Sequence, residues 1–349
     1  MKRLITLICG GVLLINGCCF HKSTSGVTPT INAPVETPAV SAPQPQQAEQ
    51  VEPTRLPLPN KQEEVTPQTA EKKDSVATAA ATTSAAAIPA DTPAFTNEEI
   101  LPLEGRNLNP LIYKTPVSDT HLNAPWKAEQ LKYGIYYSFI KAGTAYIKNR
   151  GLVDVSGRQA YLIQTTAFSA PVIDSVFKVR DVNFSWLDAT NFYSLGYSQS
   201  LREGRYQRDE WVLFDYPEQT YRGELQKKAE PRGFSGLLTQ PVLDMLTSLY
   251  YVRSQPLEPG QQITFDIINR EEQYPLVVKV TGRQTVKTAA GRFSCLVVEP
   301  QFRGEGIFVS KGKNLKVWLT DDAYKMPVKM KTEVFIGSVS AELLEYKRN

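Results

Sequence analysis

The chain has 349 residues, 21% of them charged, and a formal net charge of +3. So balanced a composition lacks the clustered basic face that nucleic-acid binding needs, and nucleic acid is excluded as a partner. Two histidines, His21 and His121, and four cysteines leave too little material for a histidine-based triad or a zinc site, and no cofactor or metal is implied.

Met1-Lys2-Arg3 is a charged start, and an apolar stretch from Leu4 to Ile15 follows it. That stretch is shorter than the roughly 20 residues a membrane-spanning helix needs, and it reads as a secretory signal over residues 1–17. Ile15-Asn16-Gly17-Cys18 resembles the bacterial lipobox: an aliphatic residue three before the cysteine, a small one directly before it, and a thiol to carry diacylglycerol. Cys19 fits less well, because Asn16 would then stand in the aliphatic place. The resemblance implies a lipidated Cys18 (diacylglyceryl and palmitate chains). Each buried methylene contributes about 0.8 kcal/mol, so several chains on one residue anchor durably. Cys19 is not an aspartate, which in the general lipoprotein sorting pattern implies the outer membrane, facing the periplasm.

Residues 18–124 follow as a tether and an arm. From 20 to 100 the chain is rich in Pro, Ala, Thr, Ser, Gln and Glu and poor in large apolar residues, as in Ala42-Pro43-Gln44-Pro45. Such a segment cannot bury enough surface to offset its conformational entropy, and disorder is expected. As a coil of about 80 residues it spans about 50 Å. Residues 101–124 carry Leu101, Leu103, Leu108, Leu111, Ile112 and Tyr113 among Pro102, Pro110 and Pro116, and read as an extended arm lying on the domain.

Residues 125–349 form the folded domain. Leu131, Tyr133, Ile135, Tyr137 and Phe139 alternate with smaller or polar neighbours, which is the period of a strand. A turn is expected at Ala142-Gly143, a strand over 144–155, a turn at Ser156-Gly157 and a strand over 158–168. Further strands are read over 177–187, 194–201, 206–214 and 219–225, the last two parted by Tyr216-Pro217-Glu218. Beyond a helix, alternation returns around Ile263, Leu276, Phe293, Leu315, Val328 and Val339. One apolar and one wet face indicates antiparallel sheet. The helix is expected over Pro241–Arg253, with Val242, Met245, Leu246, Leu249 and Val252 on an apolar face, Pro241 at its first position and Thr239 or Gln240 as its cap. The fold class is therefore mainly β: a large antiparallel curved sheet, or an open or closed β-barrel-like domain, with one amphipathic helix packed on it.

Several short motifs in this order resemble the bacterial envelope proteins grouped as domain of unknown function 3108. They are Leu131-Lys132-Tyr133 with Ala142-Gly143, Ser248-Leu249-Tyr250-Tyr251-Val252-Arg253, Gly260, Gly291-Arg292-Phe293, Val317-Trp318-Leu319-Thr320-Asp321-Asp322, Pro327-Val328 and Gly337-Ser338-Val339. The likeness covers about 126–346 and implies an exported, mostly β protein, with no activity attached.

Candidate site residues are few. Asp321-Asp322 is the best acidic pair, and Asp favours turns. Arg253 closes the helix, where a cation complements the dipole, and is placed to hold Asp322 or another acid across the core, or an anionic headgroup. With Tyr250 and Trp318 these residues, Arg253 and Asp322, make up the ligand-binding candidates. Cys295 lies in an apolar run and reads as a buried small hydrophobe. The leading expectation is a non-enzymatic envelope lipoprotein binding an apolar or amphipathic ligand, or an envelope protein, in the concave side of the sheet. The alternatives are an interaction module without a pocket, joining partners by strand addition, and a carboxylate-based hydrolase, for which no facing acid pair is visible. The anchor is directly testable. Cys18→Ala is expected to shift the protein from the membrane to the soluble fraction of cells, and retention in the membrane would remove the basis for lipidation.

Overall fold

Period-two alternation sets the architecture of the computed structural model, which describes residues 124–348 apart from 228–229, 270, 302–314 and 334–336. The signal, Cys18, the tether and the arm as far as residue 123 lie outside the described residues. The first eight strands are β1 (Gln130–Tyr137), β2 (Ile140–Val155), β3 (Arg158–Ser169), β4 (Arg180–Asp188), β5 (Ser194–Glu203), β6 (Tyr206–Asp215), β7 (Thr220–Gln226) and β8 (Arg232–Leu237). After helix α2 (Met245–Ser254) come β9 (Gln262–Asn269), β10 (Glu272–Thr288), β11 (Gly291–Gln301), β12 (Lys316–Thr320), β13 (Pro327–Glu333) and β14 (Ser338–Lys347). A single-turn helix, α1 (Pro171–Asp174), interrupts the β3–β4 connection.

Among the described residues all 14 strands belong to one antiparallel sheet, in the order β8-β7-β6-β5-β4-β3-β2-β1-β14-β13-β12-β11-β10-β9. Two meanders are thus joined where the first strand meets the last: Tyr133 lies opposite Leu343 and Ile135 opposite Ala341. The sheet is open between β8 and β9. Residues 238–244 cross that gap. Val242 accepts a hydrogen bond from the Ser194 backbone, and Leu243 pairs in parallel with Ile267 of β9. At the rim of the gap Arg232 Nη2 lies 2.7 Å from Glu271 Oε2.

The sheet curls around α2. Of its ten residues only Leu249 and Ser254 are not buried, so the helix is enclosed rather than laid on a surface, and polar Thr247, Ser248 and Arg253 are buried with the rest. The one helix expected to pack on the sheet is present, and with protein nearly all round it, it needs no solvent face. Its start is corrected. Pro241–Leu243 are extended because the Leu243 amide and carbonyl are engaged by Asp266 and Ile268. Asp244 is the N-cap, its carboxylate accepting from the Leu246 and Thr247 amides at 2.8 and 3.1 Å and from the Ser185 and Ser194 hydroxyls at 2.8 and 2.6 Å. Burial is the largest influence on that carboxyl and raises its pKa, against those hydrogen bonds.

Two further differences have plain causes. The first turn falls at Ser138-Phe139, with Ser138 at φ 53°, and Ala142-Gly143 lies inside β2. Gly143 is there for close approach: a Cβ would stand 2.3 Å from the Phe168 carbonyl oxygen of β3. Strand β8 was not expected, since Arg-Gly-Phe-Ser-Gly-Leu has two glycines and a mostly exposed pattern. As an edge strand it gains pairing from β7 without needing an apolar face.

Asp244→Ala removes a cap worth about 1 kcal/mol and strands two buried hydroxyls at about 1 kcal/mol or more each. A loss of about 2–4 kcal/mol is expected in denaturant titration. A loss within error would mean the cap does not organise α2.

Candidate functional site

The concave face of β9–β13 does not meet α2 everywhere. Between them lies an apolar cleft of about 50 Å³, walled by Met245, Leu249 and Val252 of the helix and by Phe265, Val278 and Met330 of the sheet. Ser248 is the one polar side chain in its lining. Pro300 and Leu315, at the ends of β11 and β12, form part of its wall. Register explains the apolar character: Phe265 faces Leu276, Ile263 faces Val278, and Val298 faces both Val280 and Val317, so one row of inward side chains runs across the strands.

The C-terminal end of α2 is fixed by a buried ion pair. Arg253 donates two hydrogen bonds to the Glu129 carboxylate, Nη1 to Oε1 at 2.8 Å and Nη2 to Oε2 at 2.7 Å, and both side chains are fully buried. Aromatic rings close over it, with the guanidinium 4.8 Å from the Tyr250 ring and 5.2 Å from the Trp126 ring. The Tyr324 carbonyl accepts from Arg253 Nη2 at 3.1 Å. Burial is the largest single influence on Arg253 and acts to lower its pKa; the charge and hydrogen bonds of Glu129, with Tyr250 and Tyr133, together outweigh it and the pKa rises. Burial raises Tyr250 and Tyr133, and the Tyr133 hydroxyl donates to the Pro327 carbonyl at 2.7 Å. A second buried pair, Arg208 with Glu210, lies on the inward side of β6, and Tyr197 donates to Glu210 at 2.8 Å.

The four ligand-binding candidates are thereby sorted by position. Tyr250 and Arg253 are inside, with Arg253 spent on Glu129. Asp322 sits in the β12–β13 turn, its Oδ1 accepting from the Thr320 hydroxyl and the Tyr324 and Lys325 amides. It reaches Arg253 only through the Tyr324 carbonyl that this turn positions. Trp318 is on the outer side of β12, donating to Gln284 at 2.8 Å, with Lys329 Nζ 6.0 Å from its ring. Glu129 was not singled out from sequence, although an acid for Arg253 was expected; a lone carboxylate just before the first strand carries no pattern. Cys295 is fully buried on β11 and burial pushes its thiol up to about 11, which keeps it inert at neutral pH. Among the described residues no group of three His, Cys, Asp or Glu side chains is placed to hold a metal.

A family model described as protein of unknown function, DUF3108, matches residues 132–344. The chain belongs to the DUF3108 family. The matched span runs from β1 to β14 and includes α2, the cleft and Arg253, while Glu129 lies just before it. No curated protein matches this DUF3108 chain in sequence. Three solved structures are distant likenesses. A β-barrel-like protein of domain of unknown function DUF1849 from Brucella abortus is 9% identical, with a TM-score of 0.43, over 63% of this chain and 97% of its own. An exported protein with a YmcC-like fold from Bacteroides fragilis is 9% identical, with a TM-score of 0.30, over 65% and 99%. A protein assigned as a lipoprotein from Parabacteroides distasonis is 8% identical, with a TM-score of 0.31, over 66% and 100%. Likeness at this level decides nothing about the activity of the DUF3108 chain.

Arg253→Met leaves the Glu129 charge buried without a partner, a loss of about 3–5 kcal/mol. For a domain of this size the melting temperature is expected to fall by roughly 6–20 °C. Adding Glu129→Gln should restore part of the loss. A double variant no more stable than Arg253→Met would show that the pair is not coupled.

Proposed function

We propose that this protein is a lipid-anchored, non-enzymatic envelope protein that takes the apolar end of an amphipathic ligand into the cleft beside α2. The observation that carries this reading is the cleft itself: a nearly all-apolar gap against a buried helix, unlike the larger gap of mixed polarity walled by Arg158, Asp215, Tyr216 and Arg222. The N-terminal pattern around Cys18 supports an acylated chain on the periplasmic side of the outer membrane, and the Pro- and Ala-rich stretch after it gives the domain reach.

The size of the cleft narrows the ligand. An engineered cavity of about 150 Å³ admits a benzene. A gap of about 50 Å³ takes only a short apolar tip, such as the end of an acyl chain, unless α2 shifts. Arg253 does not bind a headgroup in this reading, because Glu129 and the Tyr324 carbonyl occupy its donors. Its part is to hold the helix that forms one wall.

Native mass spectrometry of the full chain purified from membranes tests the proposal. Wild-type protein is expected to retain an acyl-bearing molecule. Leu249→Trp, which adds bulk at a half-buried wall position, is expected to lose it with circular dichroism unchanged. Wild-type protein that carries no such molecule, or a Leu249→Trp variant that keeps it, would defeat the ligand reading.

A further inference from the structure

One surface of the domain is dry where it should be wet. Ser185 of β4 reaches Asp244 on the inner side of the sheet, so its neighbours Val182, Phe184 and Trp186 point outward. On β3 they lie opposite Thr166, Gln164 and Leu162, and on β5 opposite Ser200, Ser198 and Gly196. On β10 the corresponding outward positions, among them Lys279 and Gln284, are exposed, as expected for the convex side of a curved sheet. On β4 they are sealed: Val182, Phe184 and Trp186 are at most 1% exposed. Gln164, Thr166, Ser198 and Ser200 beside them are sealed as well.

No described element covers this surface. The contacts of β3, β4 and β5 run mainly to their sheet neighbours, and α2 approaches β4 from the inner side. Ser200 donates to Asp209, but several other polar groups there are unspent. Both amide atoms of Gln164, Thr166 Oγ1, Ser198 Oγ and Trp186 Nε1 are shut off from solvent without a hydrogen-bond partner. Buried groups of this kind are ordinarily paired, so a row of them marks a place where another polar chain belongs.

We infer that this outer face of β3–β5 is the docking surface for the chain's own residues 101–123. Position supports that occupant. The described fold begins at Ala124, and the Trp126 ring packs 6.1 Å from Phe192 in the β4–β5 turn. The described chain therefore begins close to that turn. Length is ample: 23 extended residues reach about 75 Å, whereas three strands span only about 10 Å. Composition fits the surface. Leu101, Leu103, Leu108, Leu111, Ile112 and Tyr113 match Val182, Phe184 and Trp186, and the Asn107 and Asn109 amides suit Gln164 and Ser198. Pro102, Pro110 and Pro116 favour an extended path. The docked segment fixes where the tether leaves the domain, so the membrane is always approached from the β4–β5 end.

Photocrosslinking on the full lipidated chain tests this. A benzophenone amino acid is placed at Thr166 in one variant and at Ser198 in another, and products are mapped by peptide mass spectrometry. The expected product joins the probe to a peptide within 101–123 at monomer mass, and it is lost when Leu111→Asp and Ile112→Asp are added. A product at dimer mass, to another protein, to detergent or lipid, or to any other part of this chain overturns the assignment, as does no product from either position. Because the bulky probe can disturb folding, Ser198→Cys provides a second readout. Its thiol is expected to resist maleimide in the otherwise native chain and to react like an exposed thiol once Leu111→Asp and Ile112→Asp are present. Equal labelling in the two chains overturns the proposal.

Discussion

Arg253 and Glu129 are the contact on which the arrangement of helix and sheet turns. Glu129 stands at the foot of β1, in the middle of the sheet, and Arg253 at the end of α2, which lies in the connection between the two sheet edges. Their bidentate bond therefore ties the free margins of the sheet to its centre. Taking both charges out of water is expensive, and an apolar pair of equal volume would often be as stable. What the ion pair adds is position. Only one rotation and one depth of α2 bring the guanidinium onto the carboxylate beneath Trp126 and Tyr250.

That constraint works with the one at the other end of the helix. Asp244 gathers two helix amides and the Ser185 and Ser194 hydroxyls, so α2 is held at both ends by groups of β4, β5 and the segment before β1. Its middle is left to pack by apolar contact alone, and it is there, beside Leu249 and Val252, that packing is incomplete. A helix pinned at its termini leaves the gap along its flank in place.

Much of this was legible in the residues. Alternation such as Leu131, Tyr133, Ile135 reports a strand with one buried face wherever that face is formed by the strand's own neighbours, and most strands were placed within a few residues. The helix was found by spacing, but its start was not: Pro241 and Val242 look helical by composition, and the pairing of Leu243 with β9 is a contact made across the gap in the sheet. Gly143 beside Ala142 looks like a turn until the Phe168 carbonyl is seen against it. Strand β8 has no periodicity to read. Of the candidate site, Arg253 was visible as a helix-end cation, but Glu129 and the cleft depend on distant partners that local pattern does not encode.

The placement of β14 next to β1 has a temporal side. During synthesis β1 appears first, yet its second partner is the last strand of the chain, paired at separations such as Tyr133 with Leu343. The first eight strands can zip as a meander of near neighbours, a fast process because the contacts are local. Until the final ten residues or so arrive, however, β1 presents a bare ladder of amides and carbonyls to whatever strand comes near. The growing polypeptide thus passes through an interval with an adhesive margin at what becomes the middle of its sheet, and the pairing of β14 with β1 is what removes it.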